Sequence, residues 1–177
     1  TMPVSERLSR TLDDMLQMSR QQPLQDASGE VRNLIIDWRA QLTESNTPVQ
    51  QQMVIDIVAM LFEFILRDKQ VPAEIRAQLG RLQLVVLKSA LQDPVSFSQK
   101  HHPARMLVNR IGSIAQALQE VGVDRVSEEI RRIIEHLLDQ LLDEGEDALQ
   151  LFTHMLDELD AFIARQLRQD DELVNQN

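Results

Sequence analysis

Apolar residues recur at intervals of three and four along most of the chain, the spacing of one face of an α-helix. The pattern predicts seven helices. The first covers about 4–18, with Leu8, Leu12, Met15 and Leu16 on one face. The second covers 30–44 through Val31, Ile35, Trp38 and Leu42. Thr47-Pro48-Val49-Gln50 has the form of a capping box with proline at the first helical position, opening a third helix that runs to Asp68. Pro72 opens a fourth, which ends before Asp93-Pro94, and Pro103 opens a fifth, which ends near Gly122. The sixth, 126–143, presents Ile130, Ile133, Ile134, Leu137, Leu138, Leu141 and Leu142. Gly145 breaks it, and a seventh carries Leu149, Phe152, Leu156, Leu159 and Ile163. Alternation with period two is rare, so no strand is expected.

Short connections between these segments imply antiparallel neighbours, and the fold class is all-α: a bundle of six to seven antiparallel helices. The polar stretch 19–29 divides the chain into an N-terminal helix with linker, 1–29, and a bundle domain, 30–177. The third and fourth helices are apolar on most faces, which predicts a hairpin at the centre of the bundle. Their charges lie seven apart on each helix, Asp56 and Glu63 on one, Arg81 and Lys88 on the other. Both Asp56–Lys88 and Glu63–Arg81 have the constant sum of positions that an antiparallel hairpin requires. Two interhelical ion pairs fixing that register are therefore expected.

Composition narrows the function classes. The 177 residues are 43% hydrophobic but only 3% aromatic, with no cysteine and five glycines. A disulfide framework, a thiol nucleophile and a thiolate metal site are excluded. Five scattered glycines do not make Gly-rich phosphate turns. No basic-then-apolar leader is seen, and no apolar run reaches the length of a membrane span. A cytoplasmic chain is expected, and Thr1 ahead of Met2 points to a tag remnant or an excised piece. The formal charge is −10, a poor prior for nucleic-acid binding. That charge is segregated: residues 124–177 hold fifteen acidic and five basic side chains, whereas 73–112 hold two acidic and six basic. The acidic hairpin is either a solvated face or a docking surface for a basic partner, including the basic segment of the same protein.

The basic segment carries the most distinctive local sequence, LQLVVLKSALQDPVSFSQKHHPARMLVNRI, at 82–111. Asp93-Pro94 reads as an N-cap followed by proline, placing Phe97 against the core, and His102-Pro103 does the same for the fifth helix. Arg105 then falls in a first turn, where the helix dipole disfavours a cation. Either an anion is held there by Lys100, His101, His102, Arg105 and Asn109, or Arg105 pairs with Asp93 or with the acidic hairpin. His136 and His154 each precede an aspartate by three residues, which is compatible with a metal but arises easily by chance. No metal, cofactor or catalytic motif is expected.

The same run, with Phe62-Glu63-Phe64-Ile65-Leu66, Leu82-Gln83, Lys88, Asp93-Pro94, Phe97, His102-Pro103-Ala104-Arg105, Leu107 and Asn109, resembles the bacterial domain-of-unknown-function family 1631. Members are often labelled thymidine phosphorylases, and some long ones carry a PilZ domain that receives cyclic di-GMP. The resemblance implies a helical piece from the middle of a larger cytoplasmic protein, and a straighter fourth helix, because Leu84-Val85-Val86 lacks the family's proline. It lends no catalytic reading, since the phosphate-cradling loop of a phosphorylase is absent, as is the PilZ signature. The expected function is a non-enzymatic interaction or regulatory domain that contacts a protein partner or other domains of its own chain. Self-association is left open. The alternative is a domain that binds a small anionic ligand, or an enzyme handling phosphate, using the His101, His102 and Arg105 loop with Lys88. Acidic mimicry of nucleic acid by 124–172 ranks last.

Overall fold

A computed structural model describes residues 6–44, 46–117, 122–143 and 148–176, the side chains at 115–117, 123, 141–143 and 170–176 excepted. It is all-α. The helices are α1 (Glu6–Gln21), α2 (Leu34–Asp37), α3 (Arg39–Leu42), α4 (Val49–Leu66), α5 (Ala73–Gly80), α6 (Gln83–Gln92), α7 (Pro94–Phe97), α8 (Pro103–Ala117), α9 (Val123–Asp143) and α10 (Ala148–Gln176). The side chains of Leu141 and Leu142 and the break at Gly145 lie outside the described residues.

Two of the expected helices are divided. The second begins only at Leu34, because Asn33 caps it by accepting a hydrogen bond from the Ile36 amide at 3.1 Å, and Trp38 separates α2 from α3. The fourth breaks at Gly80–Leu82, and α6 then runs unbroken through Leu84-Val85-Val86, where the family's proline is missing. Gly80 packs against Val31 so closely that a Cβ would come within 2.6 Å of Val31 Cγ1. The chain then tightens, Leu82 N–H bonding to Leu79 O at 3.0 Å, before α6 restarts with Val86 N–H on Leu82 O.

The stretch 19–29 holds a tight hydrogen-bonded turn. Asp26 Oδ1 accepts from the Ser28 hydroxyl and from the Ser28 and Glu30 amides, Gly29 supplies a positive φ of 85°, and Gln25 pairs with Val31. Leu8, Leu12, Met15 and Leu16 of α1 join one continuous core with α4, α6, α8, α9 and α10.

At the centre α4 packs against α6, as the apolar hairpin requires, and α6 is the more deeply buried of the two. Eight of its ten residues are buried. Among them is Gln83, whose Oε1 accepts from Leu34 N–H at 2.8 Å and whose Nε2 donates to Arg32 O and Gly80 O. Asn33 is buried too, with Nδ2 donating to Ala59 O and Glu63 Oε2. These satisfied amides stitch the 31–34 segment to α4 and α6, where a buried unpaired amide would be costly. α4 lies against α6 on one side only.

Candidate functional site: the 93–105 segment and the outer face of α4

The segment around 93–105 is built as its sequence suggests. Asp93 caps α7 through Ser96 N–H at 3.3 Å, and Phe97 is buried. The Ser96 bonds hold the Asp93 carboxyl below its ordinary range. His102 caps α8, its Nδ1 accepting from Ala104 N–H at 3.1 Å, and its ring meets Phe97 edge-on with centroids 5.2 Å apart. The imidazole is only 3% exposed. Burial pushes its pKa down, with Arg105 adding to that and Asp93 opposing it. Nδ1 as acceptor puts the proton of the neutral ring on Nε2, which has no partner among the described residues.

The five residues expected to hold an anion differ in their surroundings. Lys100 and His101 are exposed, His102 is buried, and Asn109 sits on an outward face of α8. Arg105 meets neither Asp93 nor the acidic hairpin among the described residues. Its Nη1 donates to the carbonyls of Phe97 and Ser98 at 3.1 and 3.2 Å, at the C-terminal end of α7. A cation is favourable there because those carbonyls lack helical partners and carry the negative end of the dipole. The arginine at the start of one helix is thus a cap for the end of the previous one.

The two expected interhelical ion pairs are replaced by others. Asp56 binds Arg39 at 2.7 Å, Lys88 binds Asp13 of α1 at 2.9 Å, Glu63 binds Arg67 at 3.1 Å, and Arg81 faces Glu135 of α9 at 3.6 Å. The reason is the break at Gly80–Leu82. A constant sum of positions describes two uninterrupted helices, and the interruption removes the shared register of Arg81 and Lys88. Part of the acidic hairpin does receive the basic segment, through Arg81–Glu135 and Arg110–Asp160. His154 pairs with Glu158 at 3.2 Å, and no three metal-ligating side chains gather among the described residues.

The feature that sequence reasoning missed is on α4. Val54, Ile55, Val58, Phe62, Ile65 and Leu66 enter the core. The opposite face carries Val49, Met53, Ile57, Met60 and Phe64, each between 40% and 80% exposed, with Phe64 the most exposed. Spaced 4, 4, 3 and 4 apart, they form one stripe about 22 Å long. On the flank, Asp56 and Glu63 are already paired with Arg39 and Arg67, so no free charge interrupts it. At its C-terminal end Phe64 borders a groove of about 300 Å³, where Leu61, Ile65 and Val71 meet the polar Asp68, Asn109 and Ser113. By length and composition α4 is long enough and apolar enough to cross a membrane, but half of that apolarity is spent in the core. The signal was present as continuous apolarity, which a helix buried all round would show equally.

These features define an all-helical domain with one apolar face left open and no assembled catalytic constellation among the described residues. Residues 3–145 match the family model described as "Protein of unknown function (DUF1631) 2nd domain", and the chain belongs to that family. Neither a curated protein nor a solved structure matches it.

Proposed function

We propose that the chain is a non-enzymatic helical interaction domain. It docks through the outer face of α4 onto an apolar helical face of a neighbouring domain of the same cytoplasmic polypeptide. The observation that carries this reading is the stripe Val49–Met53–Ile57–Met60–Phe64. Large exposed apolar patches on soluble domains mark interaction surfaces. A helix face with i, i+4, i+7 anchors takes the complementary face of another helix. The matching model describes a second domain, so its family's proteins carry at least one other domain to supply that face. Along the stripe itself the flanking Asp56 and Glu63 are paired, so the partner face needs aliphatic or aromatic side chains there, with a cation or donor suited only to Asp68 beside the Phe64 groove. A cyclic di-GMP input, which the resemblance associates with members carrying a PilZ domain, would reach this domain through such a neighbour.

The test is titration of the isotope-labelled chain with the family's first domain, read by amide resonances. Saturable shifts confined to α4, the Phe64 groove and the adjoining part of α8, abolished by Phe64→Asp, are expected. Shifts elsewhere, or none, overturn the reading. Sedimentation of the chain alone covers the other occupant: concentration-dependent dimers lost in Phe64→Asp would assign the stripe to a second copy instead.

A further inference from the structure

A cleft of about 370 Å³ lies between the C-terminal end of α1, the 22–25 segment and the α5–α6 junction. That volume is within the range of small-molecule sites. Its floor is apolar, with Leu16, Leu34, Leu84 and Leu138, and its wall carries the side chains of Arg20 and Arg81. Arg20 is held by Asp139 at 2.6 Å. Arg81 is held loosely. Its Nη1 lies 3.3 Å from Gln78 Oε1 and 3.6 Å from Glu135 Oε1, and that same carboxylate oxygen is 2.9 Å from Arg131 Nη1. Nε and Nη2 of Arg81 have no partner among the described residues. Burial lowers the Arg81 pKa, Glu135 and Asp139 oppose this, and the nearby Arg131 and Arg20 add to it.

A partly buried guanidinium beside an apolar floor suits an anionic headgroup carried on an apolar body. A carboxylate offers two oxygens to the planar fork, and an aliphatic body fills the floor. We propose that this cleft binds a small aliphatic carboxylate, with Arg81 as the anchor for its headgroup and Arg20 at the rim. Glu135 competes with that headgroup for Arg81 and passes to Arg131 when the ligand arrives. The site lies outside the α4 face and does not depend on the docking reading.

The probe is sodium octanoate, with 1-octanol as the uncharged match, titrated into the isotope-labelled chain. Octanoate is expected to shift the amides of Leu24, Gly80 and Leu84 saturably and to bind at least tenfold more tightly than octanol. Arg81→Gln should weaken octanoate at least tenfold and leave octanol unchanged. Glu135→Gln should tighten octanoate several-fold, which loss of a purely structural contact would not do. Arg10→Gln, in a remote exposed pair with Glu6, should change nothing. Equal binding of octanoate and octanol by the unsubstituted chain, or shifts absent from the cleft, would overturn the proposal even if Arg81→Gln did not fold. So would a folded Arg81→Gln chain with unaltered octanoate affinity.

Discussion

The guanidinium of Arg105 lies 5.7 Å from the centre of the Phe97 ring, and its Nη1 donates to the Phe97 carbonyl at 3.1 Å. One side chain therefore closes the C-terminal end of α7 and covers the aromatic residue that α7 inserts into the core. Arg105→Ala removes two hydrogen bonds and a cation–π contact, and is expected to cost about 1–2 kcal/mol. Arg105→Lys should recover only part of this, since a compact ammonium lacks the planar guanidinium that lies beside the Phe97 ring. Urea unfolding of the three chains measures it.

His102 makes stability depend on pH. The ring is buried and its folded pKa lies below the ordinary 6.5, with desolvation the largest cause. Between those two values the unfolded chain binds more protons than the folded one, so acid favours unfolding. The contribution is fully present above pH 6.5 and is lost as pH falls from 6.5 toward the folded pKa. His102→Asn keeps a capping acceptor but cannot titrate. Relative to that variant, the natural chain should lose stability below pH 6.5 with a slope of up to about 1.4 kcal/mol per pH unit. Parallel pH profiles for the two chains would contradict this.

Gly80 is fixed by a close approach. A methyl at this position meets Val31 Cγ1 at 2.6 Å, and the β-branched valine, itself buried, has little freedom to yield. Gly80→Ala should destabilise by about 1–3 kcal/mol through overpacking, although alanine has the higher helix propensity. Thermal melts of Gly80→Ala and of the double variant with Val31→Ala separate the two effects, because the smaller valine replacement should relieve much of the cost.

The ion-pair assignments are distinguished by double-mutant cycles. Arg39 and Asp56 should show a small favourable coupling, weakened by added salt as for other exposed pairs. Asp56 and Lys88 should show none, and Asp13 and Lys88 should couple instead.

Local chemistry made much of the fold readable. Asp93-Pro94 and His102-Pro103 announce α7 and α8 because an acceptor followed by proline constrains only the adjacent turn. Phe97 could be placed inside for the same reason. The pairing of Asp56, Glu63, Arg81 and Lys88 was not readable, because it depends on whether residues 72–92 form one helix. That turns on Gly80 meeting Val31 from a distant part of the chain. The role of Arg105 was half-readable: its position in a first turn demanded compensation, but the carbonyls of Phe97 and Ser98 are not visible as acceptors until the chain folds back. For α4, periodicity shows where apolar residues lie and not what covers them, so a helix with one core face and one open face looks wholly buried. The Arg81 cleft was hidden for a related reason: its walls come from α1, the 22–25 segment and the α5–α6 junction.

Methionine oxidation tests the docking face most directly, because Met53 and Met60 lie on the stripe, Met18 is exposed elsewhere on α1, and Met15 and Met155 are buried. In the chain alone, peroxide should oxidise Met18, Met53 and Met60 quickly and Met15 and Met155 slowly. In a family polypeptide that includes the first domain, Met53 and Met60 should slow at least fivefold while Met18 keeps its rate. Unchanged rates at Met53 and Met60 in that longer polypeptide would contradict docking through α4.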